Sequence, residues 1–519
     1  MQTAAKTLTT PLRNHTSAKV HMPLNRDIET VVARVLTQGG DTRIELNTAG
    51  TNSYGCAPHP DLALVQFGSS TGSVISTAGF QAAVAVYRRL HGVAGSYHLE
   101  VERQRRELSA LCGASDLPGS EVVLAASGTD IHLFAAHLAA QGQSAGLQAV
   151  MAEPGETGSG VPAALAALHF STRTSQGHNV KRGVPIDNTR LRQPACVSLR
   201  QADSSLRSVA DVDAEFAAQV DRVMQADGHC LLVLTDLSKT GLLAPSPACA
   251  VKLQKLYGDH LTVLVDACQF RLSSATLVDY LAKDFMVAIT GSKFVGGPAF
   301  CGALLLPASL AQRCRTVPLN ALFGYSSRSD WPPGWLPAKV LAESANLGLL
   351  LRWEAALAEL RRFKAIPDQA IHDFLERWQQ AIKQRLVSDD GFEMLPVTPL
   401  RRGTGAGQPT WDSLQTVFAF QIFKRNLGGE RRALSPQETS IVYQQLRRSQ
   451  TDLGGEARFQ LGQPVHCGVN GGVHVCALRL CSGARLVTEA MAAGQTVTHA
   501  IRQAMRALDQ VALVAQALP

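Results

Sequence analysis

Between residues 121 and 306 the chain repeats one pattern: a short apolar run, a stop at small and polar residues, then a helical or loop segment. The runs are Glu121–Ala126, Leu147–Ala152, Leu231–Leu234, Leu261–Val265, Phe285–Ile289 and Ala303–Leu306. Their apolar character is continuous rather than alternating, so both faces of each run must be covered. Strands of a parallel sheet flanked by helices read this way. The pattern therefore predicts an α/β fold with a large, mostly parallel sheet. No run approaches the roughly 18–20 residues that a transmembrane helix needs.

Helical periodicity frames this region. Apolar residues recur at three and four over Asp27–Leu36, Ile75–Leu90 and Tyr97–Leu111, and again over Ile131–Ala140 behind the first run. Ser53 to Pro60 is rich in breakers, so an N-terminal arm and helix are placed at 1–50 and the large domain at 51–330. The break Trp331-Pro332-Pro333-Gly334-Trp335 opens the remainder, 331–519. A connecting helix is expected from Ala338 to about Ala365, then a smaller α+β domain. That domain has helices at Asp368–Leu386, Pro436–Ser449 and Thr488 to about Leu513, and strands at Leu414–Phe423 and Val473–Leu480.

Composition narrows the function classes. With 519 residues, 45% hydrophobic and 18% charged, the chain is neither disordered, collagen-like nor a coiled coil. The net charge of +7 is dispersed over pairs such as Arg88-Arg89 and Arg447-Arg448, which read as solvated faces, so no nucleic-acid or membrane partner is expected. The 11 Cys are scattered without C-x2-C pairs, which excludes a zinc site or disulfide framework and fits a reducing cytoplasm; no metal is expected. Residues 1–26 carry Lys6, Arg13, Lys19 and Arg26 and no acid, as a mobile arm does. Only 12 of the 49 basic residues are Lys, so few amines are available for covalent catalysis.

In an open parallel sheet, functional groups collect where strands end. Leu261–Val265 ends in Asp266-Ala267-Cys268-Gln269, and Phe285–Ile289 ends in Thr290-Gly291-Ser292-Lys293. Leu231–Leu234 ends in Thr235-Asp236-Leu237-Ser238, and the first run in Ser127-Gly128-Thr129 before a helix. Taken singly, these are caps, turns and solvated side chains. Together they offer an anion site at a helix N-terminus, a carboxylate, and a Lys whose apolar surroundings favour the free amine. Pyridoxal phosphate requires those parts.

The order Ser127-Gly128-Thr129, Ser238 with Thr240-Gly241, Asp266-x-x-Gln269, and Ser292-Lys293 before Gly297-Pro298 and Gly302-Ala303-Leu304-Leu305 resembles fold-type I pyridoxal phosphate enzymes. Within that fold it is most similar to the class V aminotransferase and cysteine desulfurase group, and the likeness spans roughly residues 95 to 310. It implies a Schiff base on Lys293 and Asp266 as the partner of the pyridine nitrogen. Gln269 and Ser238 would bond the ring hydroxyl, and Ser127, Gly128 and Thr129 would hold the phosphate with Thr290 or Ser292. Lys239 is a rival anchor outside the expected context. Val465 to Leu480 resembles the C-terminal stretch in which a strand Arg binds the substrate carboxylate, which implicates Arg479. Cys467 corresponds to the loop that carries the desulfurase nucleophile.

The sequence departs from the family at two points. The loop Glu153–Gly160 lacks the aromatic or His that stacks on the cofactor ring, a role for which Tyr54 and His132 are candidates, and Ser292 stands where the family has His. The resemblance implies a homodimer acting on an amino acid, with aminotransferase-like chemistry. Its alternatives are a cysteine desulfurase or C–S lyase using Cys467, and a non-catalytic regulatory or assembly protein on the same fold.

Overall fold

The computed structural model describes residues 25–92, 96–140, 146–187, 191–226, 228–402, 410–425, 428–448, 457–470, 472–492, 494 and 496–518. The basic arm expected at the N-terminus lies, through residue 24, outside the described residues. The strands in chain order are β1 (Leu64–Phe67), β2 (Glu121–Ala125), β3 (Leu147–Ala152), β4 (Leu191–Val197), β5 (His229–Asp236), β6 (Leu243–Ala244) and β7 (Leu261–Ala267). They continue with β8 (Met286–Thr290), β9 (Gly302–Leu306), β10 (Phe392–Met394), β11 (Val417–Arg425), β12 (Arg431–Ala433), β13 (Arg458–Asn470) and β14 (Val473–Cys481).

The described strands form two sheets. The larger has the order β2-β9-β8-β7-β5-β3-β4, with β6 paired to β5. The neighbours from β8 through β4 run parallel, while β9 is antiparallel to both β2 and β8. Continuous apolar runs are required because alternate residues enter opposite cores. Val263 and Val265 of β7 join one apolar cluster and Leu264 the other, just as Leu232 and Leu234 of β5 part from Leu231 and Val233. Burying each such side chain is worth about 1.5–3 kcal/mol, so a polar replacement at Val263, Leu264 or Val265 would destabilise the layer it faces by about that much. The smaller sheet has the order β1-β13-β14-β11-β10, with β12 on β11, and packs against the helices Asp368–Ser388, Ala484–Ala492 and Val497–Ala517.

The helices that position the site are α1 (Asn25–Val35), α2 (Thr77–Gly92), α3 (Ser96–Leu111) and α4 (Gly128–Ala140). Two long helical readings are interrupted. Ala338–Ala365 resolves into a 3-10 turn at Leu336–Val340 and a helix at Leu347–Lys364, whose start is fixed by Asn346 Oδ1 accepting the Leu349 amide at 2.9 Å. The final helix is two, Ala484–Ala492 and Val497–Ala517, parted at Gly494, whose φ of +61° no α-helix holds. β1 lies within the range read as the larger domain, yet it pairs in parallel with β13 of the smaller sheet.

Helix Leu347–Lys364 ties the segment after α1 to the loop that carries Phe300. Arg352 is fully buried, and its guanidinium donates to the carbonyls of Leu36 (3.0 Å), Gln38 and Gly39 (2.9 Å) just beyond α1, and to Phe300 O at 2.6 Å. A cation suits a helix C-terminus, where carbonyls point outward unpaired. Burial pulls the Arg352 pKa down to about 9. No described helix is long and apolar enough to cross a membrane.

Candidate active site

The carboxyl ends of β5, β7 and β8 and the start of α4 open onto a cavity of about 200 Å³, closed from the other side by Gln463 of β13 and Arg479 of β14. Of the residues singled out from sequence, Ser127, Gly128, Thr129, Asp266, Gln269, Thr290, Ser292, Lys293 and Arg479 all line it. They come from positions up to 352 residues apart. The sheet accounts for the convergence, since Asp266 of β7 sits in register between Thr235 of β5 and Ala288 of β8, with Lys293 three residues past the end of β8.

One end is built on α4. The Ile131 amide donates to Ser127 O at 3.1 Å and the Asp130 amide to Ser127 Oγ at 3.3 Å, so the amides of Gly128 and Thr129 are left as the helix's free donors. A Cβ on Gly128 would stand 2.9 Å from Cys268 Sγ, so only glycine leaves this cradle open. Arg43, from the segment after α1, reaches the same place. Its Nη1 is 3.2 Å from Thr129 Oγ1 and its Nη2 3.4 Å from Ser127 Oγ, while Asp41 grips the guanidinium on its other edge at 2.6 Å. Phe300 holds the guanidinium over its ring at 5.2 Å, in a left-handed backbone conformation (φ +71°) that a bulky residue adopts only under constraint.

At the centre lies Asp266. His132, one turn into α4, hydrogen-bonds Gly128 O through Nδ1 at 2.7 Å and sets Nε2 3.3 Å from Asp266 Oδ2, a charge contact without full hydrogen-bond alignment. Both ring nitrogens thus meet acceptors, which favours the imidazolium. Burial opposes the charge on each partner, but their mutual attraction outweighs it, raising the His132 pKa and, with help from Lys293, holding Asp266 below the usual carboxylate range. Asp266 is therefore an ionised carboxylate in a buried site. His132 partners Asp266 on its flank. Gln269 donates to Ser70 O at 3.1 Å, Thr290 Oγ1 to Cys268 O at 2.6 Å, and Ser292 Oγ to Thr290 Oγ1 at 3.2 Å.

The other end is cationic and short of partners. Arg479 is buried; its Nε and Nη2 reach Gln463 O (3.2 and 2.8 Å) and its Nη2 Thr71 Oγ1 (2.8 Å), all neutral acceptors, and its buried Nη1 has no partner among the described residues. Lys239, half-buried in the turn after β5, also lines the cavity. Burial, reinforced by the charges of Arg479 and Lys293, pulls its amine down to about 8. Glu156 is already engaged: its carboxylate accepts from the Thr240 hydroxyl (2.6 Å) and amide (3.0 Å), with Arg200 Nε at 3.6 Å.

Two residues singled out from sequence lie elsewhere. Ser238 is fully buried in the turn after β5, where its Oγ accepts the Leu242 amide at 3.0 Å, and it does not line the cavity. Cys467 is buried within β13, its thiol donating to Val475 O at 3.6 Å, and burial pushes its pKa up to about 11. It also is absent from the cavity wall. Arg43, Ser70, Thr71, Glu156 and Gln463 line the cavity without having been signalled by the sequence. Arg43 and Gln463 stand 84 residues before Ser127 and 16 before Arg479, beyond the reach of any local motif.

No protein-family model matches the sequence, and no curated protein matches it either. Among solved structures, a tryptophan decarboxylase from Catharanthus roseus in complex with L-tryptophan superposes with a TM-score of 0.50 at 12% identity, over 87% of this chain and 83% of that one. Mouse CSAD in apo form gives 0.49 at 14% identity over 87% and 84%, and the cysteine desulfurase CsdA from Escherichia coli 0.46 at 15% over 86% and 95%. At such identities the likeness concerns the fold alone.

Proposed function

We propose that this chain, which has the α/β fold of fold-type I pyridoxal phosphate enzymes with a large mixed sheet and a smaller C-terminal one, uses that cofactor to act on an amino acid by aminotransferase-like chemistry. The observation that carries the proposal is the meeting, in one cavity, of Lys293, the ionised Asp266 and Arg479, whose Nη1 has no partner among the described residues.

The residues present fit the group. The Gly128 and Thr129 amides, Ser127 and Arg43 would hold its phosphate, since a helix N-terminus beside a guanidinium is a complete anion site. Asp266 would hold a proton at the pyridine nitrogen, and Lys293 would anchor the aldehyde carbon. Pyridoxal phosphate, once bound, supplies an electron sink for charge developing at the substrate Cα. The chain's own residues do the rest. Arg479 binds the substrate carboxylate through its free Nη1 edge and so fixes the orientation of Cα. Lys293 Nζ, once the substrate amine has replaced it at the aldehyde carbon, would be the group that accepts and delivers the Cα proton, the proton movement that transamination requires. Phe300 and Leu237 in the wall restrict water. The burial of Cys467 within β13, away from the cavity wall, favours this reading over desulfuration.

The test is a visible absorption spectrum of the protein reconstituted with pyridoxal phosphate. A band that amino acids bleach and a keto acid restores is expected, with Lys293→Ala lowering turnover about 10³-fold or more. If the cofactor produces no band, the proposal fails outright; a band indifferent to amino acids and keto acids leaves the cofactor but removes the transaminase.

A further inference from the structure

The charges in the cavity balance at one end and not at the other. Arg43 is neutralised by Asp41, His132 by Asp266 and Glu156 by Arg200. Lys293 is committed to the cofactor under the reading above. Two cations remain, Arg479 and Lys239, and neither has an acidic partner among the described residues. Burying unpaired charge is costly, and sites that keep it do so for a ligand that supplies the counter-charge. A simple amino acid brings one carboxylate, which Arg479 is suited to take. Lys239 then stands without a counterpart.

From this cavity geometry we infer that the substrate is an amino acid with a second acidic group on its side chain, and that Lys239 binds that group. This rests on the pyridoxal phosphate reading and specifies the substrate class for it. The Lys239 amide donates to Glu156 O at 2.8 Å, which anchors the backbone and leaves the amine as the mobile part. Lys239 stands in the turn between β5 and β6 and not at the Ser127–Thr129 start of α4, so it is assigned to the substrate rather than to the cofactor phosphate; Arg479, Lys293 and Glu156 are the charges around it. Burial pulls its amine down to about 8, so it is a cation at neutral pH. Preference for a diacid is therefore expected around neutral pH, fades at acid pH as the ligand's second carboxyl takes up a proton, and is lost as pH rises through about 8, or somewhat higher once the bound acid stabilises the charge.

The experiment uses amino-free acids, so that binding is read without turnover. Calorimetry on the cofactor-loaded protein compares glutarate and succinate with valerate and butyrate at pH 7 and pH 9. At pH 7 a diacid should bind about tenfold tighter than the matching monoacid, the scale of a hydrogen bond to a charged group. Lys239→Met should erase that advantage while keeping monoacid affinity within about twofold, and Lys239→Arg should restore it. Equal affinity for both classes in the native protein, or an advantage that survives Lys239→Met, overturns the inference. The same titrations on protein without cofactor separate the two claims: a protein that never takes up pyridoxal phosphate still reveals whether Lys239 selects diacids.

Discussion

The two ends of the cavity handle charge in opposite ways. At the α4 end the two charged groups that face the cavity each have a fixed ionic partner, Asp41 on Arg43 and His132 on Asp266, while Asp130 behind them accepts from the Ser127 and Ser175 hydroxyls. At the β14 end Arg479 leans on a carbonyl and a hydroxyl, and Lys239 on no counter-ion among the described residues. Paired charges are oriented before anything arrives, as suits a resident group that must be held in one geometry. Unpaired ones keep their attraction for a ligand that comes and goes. Under the proposed function, preorganisation falls to β7 and α4, and recognition to Arg479 of β14 and to Lys239 in the turn between β5 and β6.

Three substitutions test that division. The largest effect is expected at Asp266. Asp266→Ala removes the carboxylate and strands the buried imidazolium of His132, so turnover at saturating cofactor should fall about 10²–10³-fold. A loss of tenfold or less would mean that the paired end is not the chemical one. Next is Arg43→Gln, expected to raise the dissociation constant for pyridoxal phosphate about tenfold, followed by fluorescence quenching, without changing amino-acid affinity in the loaded protein. Movement of the amino-acid affinity instead would erase the distinction between the ends. The smallest is Cys467→Ser, which belongs to neither end and should alter turnover by less than about twofold. A deep loss there, with sulfide release from L-cysteine in the native protein, would return desulfuration to first place.

How much of this could be read from the chain follows from the range of the interactions involved. Asp266 directly follows one apolar run and Lys293 comes four residues after the next, and because parallel strands end at the same edge, the runs alone bring both to one cavity. Ser127-Gly128-Thr129 was legible for the same reason, as a strand passing into a helix. Ser238 illustrates the limit of that logic. Strand-end position brings a residue to the right edge, but the turn closing at Leu242 consumes its hydroxyl, while the preceding Asp236 is taken by Arg402 at 2.6 Å. Cys467 reads as a loop residue from its glycine-rich stretch, yet it lies inside β13, at an irregularity between the pairs His466–Cys476 and Gly468–Val475 that leaves its thiol buried. Arg43 and the counter-ion inventory around Lys239 depend on contacts between distant segments, which no spacing in the sequence encodes.

The guanidinium of Arg352 gives the N-terminal segment a meaning that its place in the chain conceals. One buried cation is shared among the carbonyls that follow α1 and the carbonyl of Phe300 in the cavity wall. Stripping the first helix away would not simply shorten the protein. It would remove the support of the three carbonyls just beyond it that accept from the buried Arg352, and so loosen the residue on which Arg43 rests. A segment some 250 residues upstream of Lys293 is in this sense part of the wall of its chamber, and trimming it would act on cofactor retention as directly as a substitution inside the site.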